Sequence, residues 1–224
     1  MKPVIDYYDK LASDYDRDRF ANSYGRYIDA LERGILTHWL RDAAPASTVD
    51  FGCGTGRLLD YAHTGLDGSA GMLQVAAEKF PDRRLIHADL THLPLADREM
   101  ERGICFHVAM HLDHATLQAF LQEAARVIRP GGRLIFDIPS APRRALSKRP
   151  HSGWHGDTDA SIAQIRQWVQ PYWAVRRWRG ILLFPIHRIP VPMRPLFRGL
   201  DAGLGCTGLG RYASYYVIEL QRLA

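Results

Sequence analysis

The sequence predicts an α/β fold in which helices cover both faces of a parallel β-sheet. Between residues 47 and 139, short apolar runs alternate with segments of helical period, and Gly, Pro, Asp or Ser marks the switches. The first apolar run passes directly into a glycine-rich turn, which is typical of a strand that leads into a binding loop. Strands that alternate with helices indicate parallel pairing through right-handed crossovers.

The individual elements follow from the hydrophobic period. Five strands are predicted at 48–51, 65–67, 84–88, 102–108 and 133–138, and the helices between them at 56–63, 70–79 and 114–128. Pro130, Gly131 and Gly132 end the last of these helices. Residues 6–42 have apolar positions at helical spacing, so we expect helices that cap the sheet.

The C-terminal third is predicted to add a hairpin at the sheet edge. Residues 160–169 fit a helix, 174–184 an extended segment and 212–220 a strand rich in β-branched and aromatic residues. Between them, Pro190, Pro192 and Pro195 exclude a continuous helix before about Arg194.

One domain is expected, because the 224 residues contain no repeat, no low-complexity tract and no long Gly/Ser linker. We divide it into an N-terminal helical cap at 1–45, a core at 46–140 and a variable region with the hairpin at 141–224. No apolar run approaches the roughly 20 residues of a membrane span, and the first twenty residues are too polar for a signal peptide. A cytoplasmic location with reduced, mostly buried thiols is therefore expected.

Charge is distributed unevenly along the chain. Residues 1–138 carry a formal charge of −4, whereas residues 139–224 carry +9. Only four of the 29 basic residues are lysines, and arginine favours planar partners such as carboxylates and phosphates. The pattern indicates either an anionic substrate or surface, or a solvated arginine-rich face.

Candidate binding residues follow the first three predicted strands. Gly52, Gly54 and Gly56 would let a ligand approach the backbone closely. Asp67 is placed to accept hydrogen bonds from both ribose hydroxyls of a nucleoside, and Asp89 from an adenine amine. The glycine spacing fits neither a P-loop nor the dinucleotide fingerprint, so a dinucleotide oxidoreductase is the least favoured function.

Four segments, DFGCGTG, GLDGSAGML, HADLTHLPL and ARVIRPGG, resemble the successive motifs of class I S-adenosylmethionine-dependent methyltransferases of the small-molecule type. The resemblance covers roughly residues 6–140. It implies a Rossmann-like, three-layer αβα fold whose seven-stranded, mostly parallel sheet has an antiparallel last strand. It also implies S-adenosyl-L-methionine as cofactor and S-adenosyl-L-homocysteine as product. One departure is that Asp67 follows Gly56 by only eleven residues, which requires a short first crossover helix.

The resemblance assigns roles to individual residues. It implies that Gly52, Cys53 and Gly54 line the methionine part of the cofactor, that Asp67 binds the ribose, and that Asp50 orients the turn or the amino group. The implied adenine contacts are Gly68, Ser69, Met72, Asp89 and Leu90. The residues implied for an N-terminal segment that closes over the cofactor are Tyr7, Tyr15 and Arg19. Packing alone also accounts for Cys53 and Met72, and the two tyrosines fit either core or cover.

Methyl transfer requires alignment and a dry site more than it requires catalytic groups. For a hydroxyl acceptor, His107 is the candidate base because it lies just past the fourth strand, and His155 could reach the site from a lid loop. His107 also fits a hydrogen-bonding or packing role. The histidines favour an oxygen over a nitrogen acceptor, and the tryptophans and arginines after residue 150 favour an anionic or aromatic small molecule. No metal site is expected, since the histidines share no ligand spacing.

Two other functions fit parts of the sequence. The basic C-terminal third fits a nucleic-acid (RNA) methyltransferase, although residues 107–110 lack the Asn/Asp-Pro-Pro-aromatic motif of base-methylating enzymes. In segment 181–200, apolar residues alternate with arginines, which fits docking on an anionic membrane, a substrate-pocket wall or a homodimer contact.

Overall fold

A seven-stranded β-sheet forms the centre of the protein. The computed structural model describes residues 2–147 and 158–224. The strands are β1 (Thr48–Phe51), β2 (Thr64–Asp67), β3 (Arg84–His87), β4 (Met100–Cys105), β5 (Ile128–Pro139), β6 (Trp173–Ile181) and β7 (Tyr215–Arg222). They lie side by side in the order β3-β2-β1-β4-β5-β7-β6.

Strands β1 to β5 pair in parallel, whereas β7 runs antiparallel to both β5 and β6. The predicted fold class and the antiparallel last strand are thereby confirmed, and β6 and β7 pair at the sheet edge although a long segment with further helices joins them. The strand order reverses at β1, because β2 lies on one side of it and β4 on the other. Open α/β sheets bind ligands at the carboxyl ends of the strands beside such a reversal.

Within the described residues, eight α-helices surround the sheet. They are α1 (Lys2–Leu11), α2 (Tyr15–Arg19), α3 (Ser23–Trp39), α4 (Ala70–Lys79), α5 (His114–Val127), α6 (Ala141–Ser147), α7 (Ile162–Trp168) and α8 (Arg194–Leu204). Helix α4 begins and ends as predicted, because Ser69 caps it by accepting a hydrogen bond from the backbone N–H of Met72. Helix α8 begins at Arg194, where the proline-rich segment was expected to allow it.

The core lies on both faces of the sheet. Ile104 and Ile135 pack with the buried face of α3, while their neighbours Cys105 and Phe136 pack with α5 on the opposite face. Successive residues of a strand point to opposite faces, so the central strands are buried on both sides. This packing fixes the carboxyl ends of β1, β4 and β5 relative to α3.

The helix predicted at 56–63 is wrong. Residues 54–60 form consecutive turns instead, with hydrogen bonds from Gly56 N–H to Cys53 O and from Leu59 N–H to Gly56 O. Gly54 and Gly56 have φ angles of 54° and 84°, which a right-handed helix does not contain. The short crossover expected from the spacing of Asp67 is therefore made without a helix.

Several boundaries also differ from the predictions. The helices predicted within residues 6–42 are α1, α2 and α3, but the first begins earlier, at Lys2, and Asn22 caps α3 after a break in the helical structure. Strand β4 ends at Cys105 instead of residue 108, since His107 has a φ of 60° that extended backbone does not adopt. Strand β5 begins at Ile128 rather than 133, because Ile128 already pairs with Met100 before a register shift.

Two further expectations concern the environment of the chain. Among the described helices, none is both long enough and apolar enough to cross a membrane. Cys53 and Cys105 are buried and Cys206 is exposed, and all three thiols are free.

Candidate functional site

A cavity of about 750 Å³, here called cavity A, opens at the carboxyl ends of β1, β2, β3 and β4. Its lining includes most of the residues that were predicted to bind a nucleoside: Gly52, Asp67, Gly68, Ser69, Met72, Asp89 and Leu90. Polar groups from the strand ends and apolar side chains from α4 thus share one cavity.

The turn after β1 is held against β2 by its own backbone. The N–H groups of Gly52 and Cys53 both donate to Leu66 O, at 2.7 and 2.9 Å. Gly52 has a φ of 73°, which glycine adopts without the strain of a side chain. As a result the turn lies open toward cavity A.

Asp67 joins this turn to the start of α4. One carboxylate oxygen accepts from Gly54 N–H and the other from Ser69 N–H, each at 2.8 Å. Burial raises the pKa of Asp67, although these two hydrogen bonds oppose the shift. Each oxygen retains a lone pair for a ligand hydroxyl in cavity A.

Asp89 provides the second carboxylate of cavity A. One of its oxygens accepts hydrogen bonds from the backbone and side chain of Thr91, both at 2.8 Å. These bonds hold the pKa of Asp89 below its ordinary value, so it is ionised at neutral pH. Met72 and Leu90 supply apolar surface beside it.

Helix α1 forms a wall of cavity A. Val4, Ile5 and Tyr8 line the cavity, and Asp9 ties the helix to α4 by accepting hydrogen bonds from Ser69 Oγ at 2.5 Å and Gly71 N at 2.9 Å. Tyr8, rather than the predicted Tyr7, faces the ligand space. Tyr7 is 37% exposed and accepts a hydrogen bond from Arg19 at 3.3 Å.

A smaller cavity of about 330 Å³, cavity B, adjoins cavity A on the β1 side. Asp50, Cys53, Thr55 and Arg57 line it, and Gly52 lines both cavities. Burial raises the pKa of Asp50 to about 7, and the positive charge of the Arg57 guanidinium offsets only part of this rise. A positively charged ligand group in cavity B would favour the ionised carboxylate.

His107 lies where cavities A and B meet a third cavity, C, of about 900 Å³. Tyr8, Tyr15 and His111 line both A and C, and the Tyr8 hydroxyl lies 2.9 Å from His111 Nε2. Cavity C extends from this junction along α3 and β6. Cavities A and B thus form one binding space and cavity C a second, and the two meet at His107.

Two buried carboxylates hold His107 at this junction. Glu32 Oε1 lies 2.9 Å from His107 Nε2, and Asp137 accepts a hydrogen bond of 2.7 Å from the His107 backbone N–H. Glu32 also lies 2.7 Å from the Arg57 guanidinium, which itself pairs with Asp29. Neither contact of Glu32 has a well-aligned N–H, so both are ion pairs rather than hydrogen bonds.

The cluster determines how its members titrate. Burial opposes a charged imidazole, but the Glu32 and Asp137 carboxylates outweigh burial and raise the pKa of His107. Burial also opposes a charged Glu32, yet His107 and Arg57 lower its pKa. Burial raises the pKa of Asp137 to about 6.

Glu32, His107 and Asp137 each place one atom that could coordinate a metal ion within 4.8 Å of the others. The sequence did not predict this grouping. Arg57 already supplies a positive charge next to Glu32. The set is therefore a charge-compensated cluster of acidic and basic side chains.

The structure distributes the remaining predicted residues around these cavities. Tyr15 lines cavities A, B and C, and Arg19 lines cavity C. Gly54 contributes its backbone N–H to Asp67. His155 lies outside the described residues. Sequence reasoning missed Glu32, Arg57 and Asp137, although an acidic residue on the apolar face of α3 and another in the apolar strand β5 were available signals.

Residues 49–136 match the family model described as a methyltransferase domain. This segment of the chain is therefore similar to methyltransferase domains. The matched residues run from β1 into β5 and include the glycine turn, Asp67, Asp89 and His107. The resemblance of the four motifs is thereby confirmed.

Curated relatives match about half or somewhat more of the chain. The malonyl-[acyl-carrier protein] O-methyltransferase of Dechloromonas aromatica is 36% identical over 129 residues, covering 52% of this chain and 47% of the relative. The ubiquinone/menaquinone biosynthesis C-methyltransferase UbiE of Campylobacter jejuni is 28% identical over 153 residues, covering 60% and 63%. The chain therefore spans less than two thirds of the length of these relatives.

The fold is also that of a solved methyltransferase. Magnesium protoporphyrin IX methyltransferase (ChlM) from Synechocystis, solved with bound S-adenosylhomocysteine, has a TM-score of 0.68 and 18% sequence identity to this chain. The alignment covers 100% of this chain and 99% of that one. At this identity the likeness concerns the fold of the methyltransferase domain.

Proposed function

We propose that this protein is an enzyme that transfers a methyl group from S-adenosyl-L-methionine to an oxygen atom of a small-molecule acceptor. The observation that carries the proposal is the meeting of cavities A and B with cavity C at His107. The methyltransferase domain over residues 49–136 supports the cofactor and the reaction class. The histidine at the junction supports an oxygen acceptor, since an oxygen nucleophile often must lose a proton.

The side chains of cavities A and B fit this cofactor. Asp67 offers carboxylate oxygens to a ribose and Asp89 to an adenine amine, beside the apolar surface of Met72 and Leu90. In cavity B, Asp50 is a buried carboxyl whose raised pKa reflects an incompletely compensated charge. The ammonium group of the methionine moiety would supply that compensation.

The cofactor, when bound, supplies an electrophilic methyl group. The protein's own part is to align the acceptor in cavity C and to accept its proton. His107 Nε2 lies 2.9 Å from Glu32 Oε1, whereas Nδ1 lies 4.0 Å from Asp137 Oδ2, beyond hydrogen-bond distance, so Nδ1 is the ring nitrogen that would accept the proton of a hydroxyl acceptor. Glu32 would stabilise the imidazolium that forms when neutral His107 takes this proton.

Calorimetric titration with S-adenosylhomocysteine, beside NADH as a comparison ligand, tests the cofactor assignment. We expect micromolar binding of S-adenosylhomocysteine alone. Asp67→Ala should weaken it by at least about 100-fold, because it removes hydrogen bonds to both ribose hydroxyls and loosens the Gly54 turn.

The matched control is Asp82→Ala, because Asp82 is an exposed carboxylate between α4 and β3. It should bind S-adenosylhomocysteine as the natural sequence does. Tight binding by a folded Asp67→Ala protein would remove the ribose role of Asp67. Binding of NADH instead would overturn the proposed reaction class.

A second candidate role is docking on an anionic lipid surface. Val191, Met193, Leu196 and Leu200 are all 45% or more exposed on or next to α8, and Arg198 is exposed among them. Asp201, the acidic residue of this helix, is buried and hydrogen-bonded to Tyr27, so the exposed charge here is positive. An amphipathic, arginine-bearing helix of this kind favours binding to anionic membranes.

A further inference from the structure

A fourth cavity, D, continues cavity C away from His107. Three residues line both C and D and form the passage between them: Tyr24, Leu182 and Tyr215. Cavity D has a volume of about 920 Å³ and is open to solvent, and because it shares these residues with cavity C we treat the two as one long cleft. A ligand in it could reach from the contact zone of cavity A to the region between α6 and the chain after β6.

The middle of this cleft is apolar and aromatic. Ile181 and Leu182 at the end of β6 and Phe184 just after it form one side, and Tyr24 and Tyr215 lie at the passage. Burial raises the pKa of Tyr215 to about 12, so its hydroxyl is neutral at physiological pH. The passage therefore suits an uncharged, extended molecular body.

The far end of the cleft is basic. Arg143, Arg144 and His187 line cavity D, and no acidic residue is among its described lining residues. Arg144 is bridged to Asp159 at 3.2 Å. For Arg143, by contrast, no carboxylate lies within ion-pair distance anywhere in residues 2–147 and 158–224.

We propose that cavity D binds an anionic group, a carboxylate or a phosphate, at the end of an elongated acceptor opposite the methylated atom. The acceptor class is thus a molecule with a reactive oxygen at one end, an apolar body and an anion at the other. Arginine with a free planar guanidinium is well suited to either anion. This inference rests on the proposed function, because it extends the acceptor side of the same site.

Three ten-carbon probes test the inference: decyl phosphate, decanoate and decanol, each titrated below its aggregation limit into protein saturated with S-adenosylhomocysteine. Tryptophan fluorescence or calorimetry reports binding. We expect both anionic probes to bind about tenfold more tightly than decanol, and the tighter of the two identifies the anion. Arg143→Gln should weaken the anionic probes by about tenfold and leave decanol unchanged.

The matched control is Arg166→Gln, which removes an exposed arginine from α7, outside the described lining of the cleft. Equal binding of the three probes, or loss of anion preference in Arg166→Gln but not in Arg143→Gln, would overturn the inference. The probes are also titrated without S-adenosylhomocysteine. Arg143-dependent anion binding in a protein that fails to bind S-adenosylhomocysteine would support cavity D while contradicting the proposed function.

Discussion

His107 combines an uncommon backbone conformation with an uncommon set of neighbours. A non-glycine residue in the left-handed region costs about 1–2 kcal/mol, so surrounding contacts must hold it there. The hydrogen bond from its N–H to Asp137 and the ion pair of its ring with Glu32 do so. The conformation turns the imidazole from the end of β4 toward the junction of the cavities.

The pKa of His107 should fall when Glu32 loses its charge. Glu32 favours the imidazolium, so in Glu32→Gln the pKa of His107 should fall and the ring should release its proton at a lower pH. An NMR titration of the His107 Cε1–H signal, assigned with a His107→Asn spectrum, measures this shift. Where His107 acts as the base, the rise of activity with pH should move to lower pH by the same amount.

Glu219→Gln is the control for this change, because Glu219 is also a fully buried glutamate that pairs with arginines, here Arg177 and Arg133 on the sheet. Both variants should lose stability, by up to about 3–5 kcal/mol, since each breaks buried ion pairs. Only Glu32→Gln should move the His107 titration. An unchanged titration in that variant would show that Glu32 does not set the basicity of His107.

The residues of the candidate site differ in how well sequence could predict them. Asp67 and Asp89 end strands directly, so local sequence places them at the carboxyl edge of a parallel sheet. Glu32 lies on a helix far away in sequence, and only the packing of α3 against β4 and β5 brings it to His107. Asp137 lies near the end of β5, two residues before Pro139, but a motif-based search for nucleoside contacts gives no reason to select it.

At the scale of elements, the connection between β1 and β2 departs most from expectation. Twelve residues join Phe51 to Thr64, too few for a full crossover helix, and three glycines with positive φ curl them into turns. Two ion pairs tie these turns to α3. Asp60 of the turns pairs with Arg33 of α3 at 3.0 Å, and Arg57 of the turns pairs with Asp29 of α3 at 2.8 Å. The strands themselves follow from their apolar runs, because burial on both faces leaves few alternatives.

Alanine at Gly52 should destabilise the protein more than alanine at Gly54. Both residues have positive φ, so each substitution costs about 1 kcal/mol of conformational strain. A Cβ at Gly52 would also collide with the Val108 side chain, whereas one at Gly54 meets no atom within 4 Å. Overpacking adds about 1–3 kcal/mol at Gly52 only. Urea unfolding of the two variants measures the difference.

The double variant Gly52→Ala with Val108→Ala provides the internal check. Removing the valine methyl groups should relieve the collision but not the conformational strain. The double variant should therefore lose less stability than the sum of the two single variants. Equal losses of stability in the two glycine variants would mean that the turn shifts to accommodate a side chain. In that case Gly52 would not be needed for the close contact with β4.

At the scale of the whole molecule, the basic C-terminal third divides into separate tasks. Arg176 and Arg177 of this third, together with Arg133 from β5, surround the buried Glu219 within the sheet, which sequence could not distinguish from surface charge. Arg143 and Arg144 line cavity D, and Arg198 lies exposed on α8. Net charge alone therefore could not show whether the excess of arginines stabilises the fold, binds a ligand or forms an exposed basic surface.

Leu196→Glu tests the lipid-surface role of α8. The protein should sediment with vesicles rich in phosphatidylglycerol but not with phosphatidylcholine vesicles, and 0.5 M salt should release it, because the attraction is electrostatic. Leu196→Glu should abolish this binding. Leu146→Glu is the matched control, since Leu146 on α6 is equally exposed, at 65%. Equal sedimentation of both variants would contradict docking through α8.

Helix α1 covers cavity A and is held there by side-chain hydrogen bonds of Tyr7, Tyr8 and Asp9. None of residues 3–11 is buried, and the hydrogen bonds of Asp9 to Ser69 and Gly71 join the helix to α4. Such a segment can detach while the sheet stays folded, because its detachment exposes little buried apolar surface. The exchange of a ligand in cavity A with solvent would then follow local opening of the first helix, and the lifetime of the bound state would depend on a carboxylate that never touches the ligand.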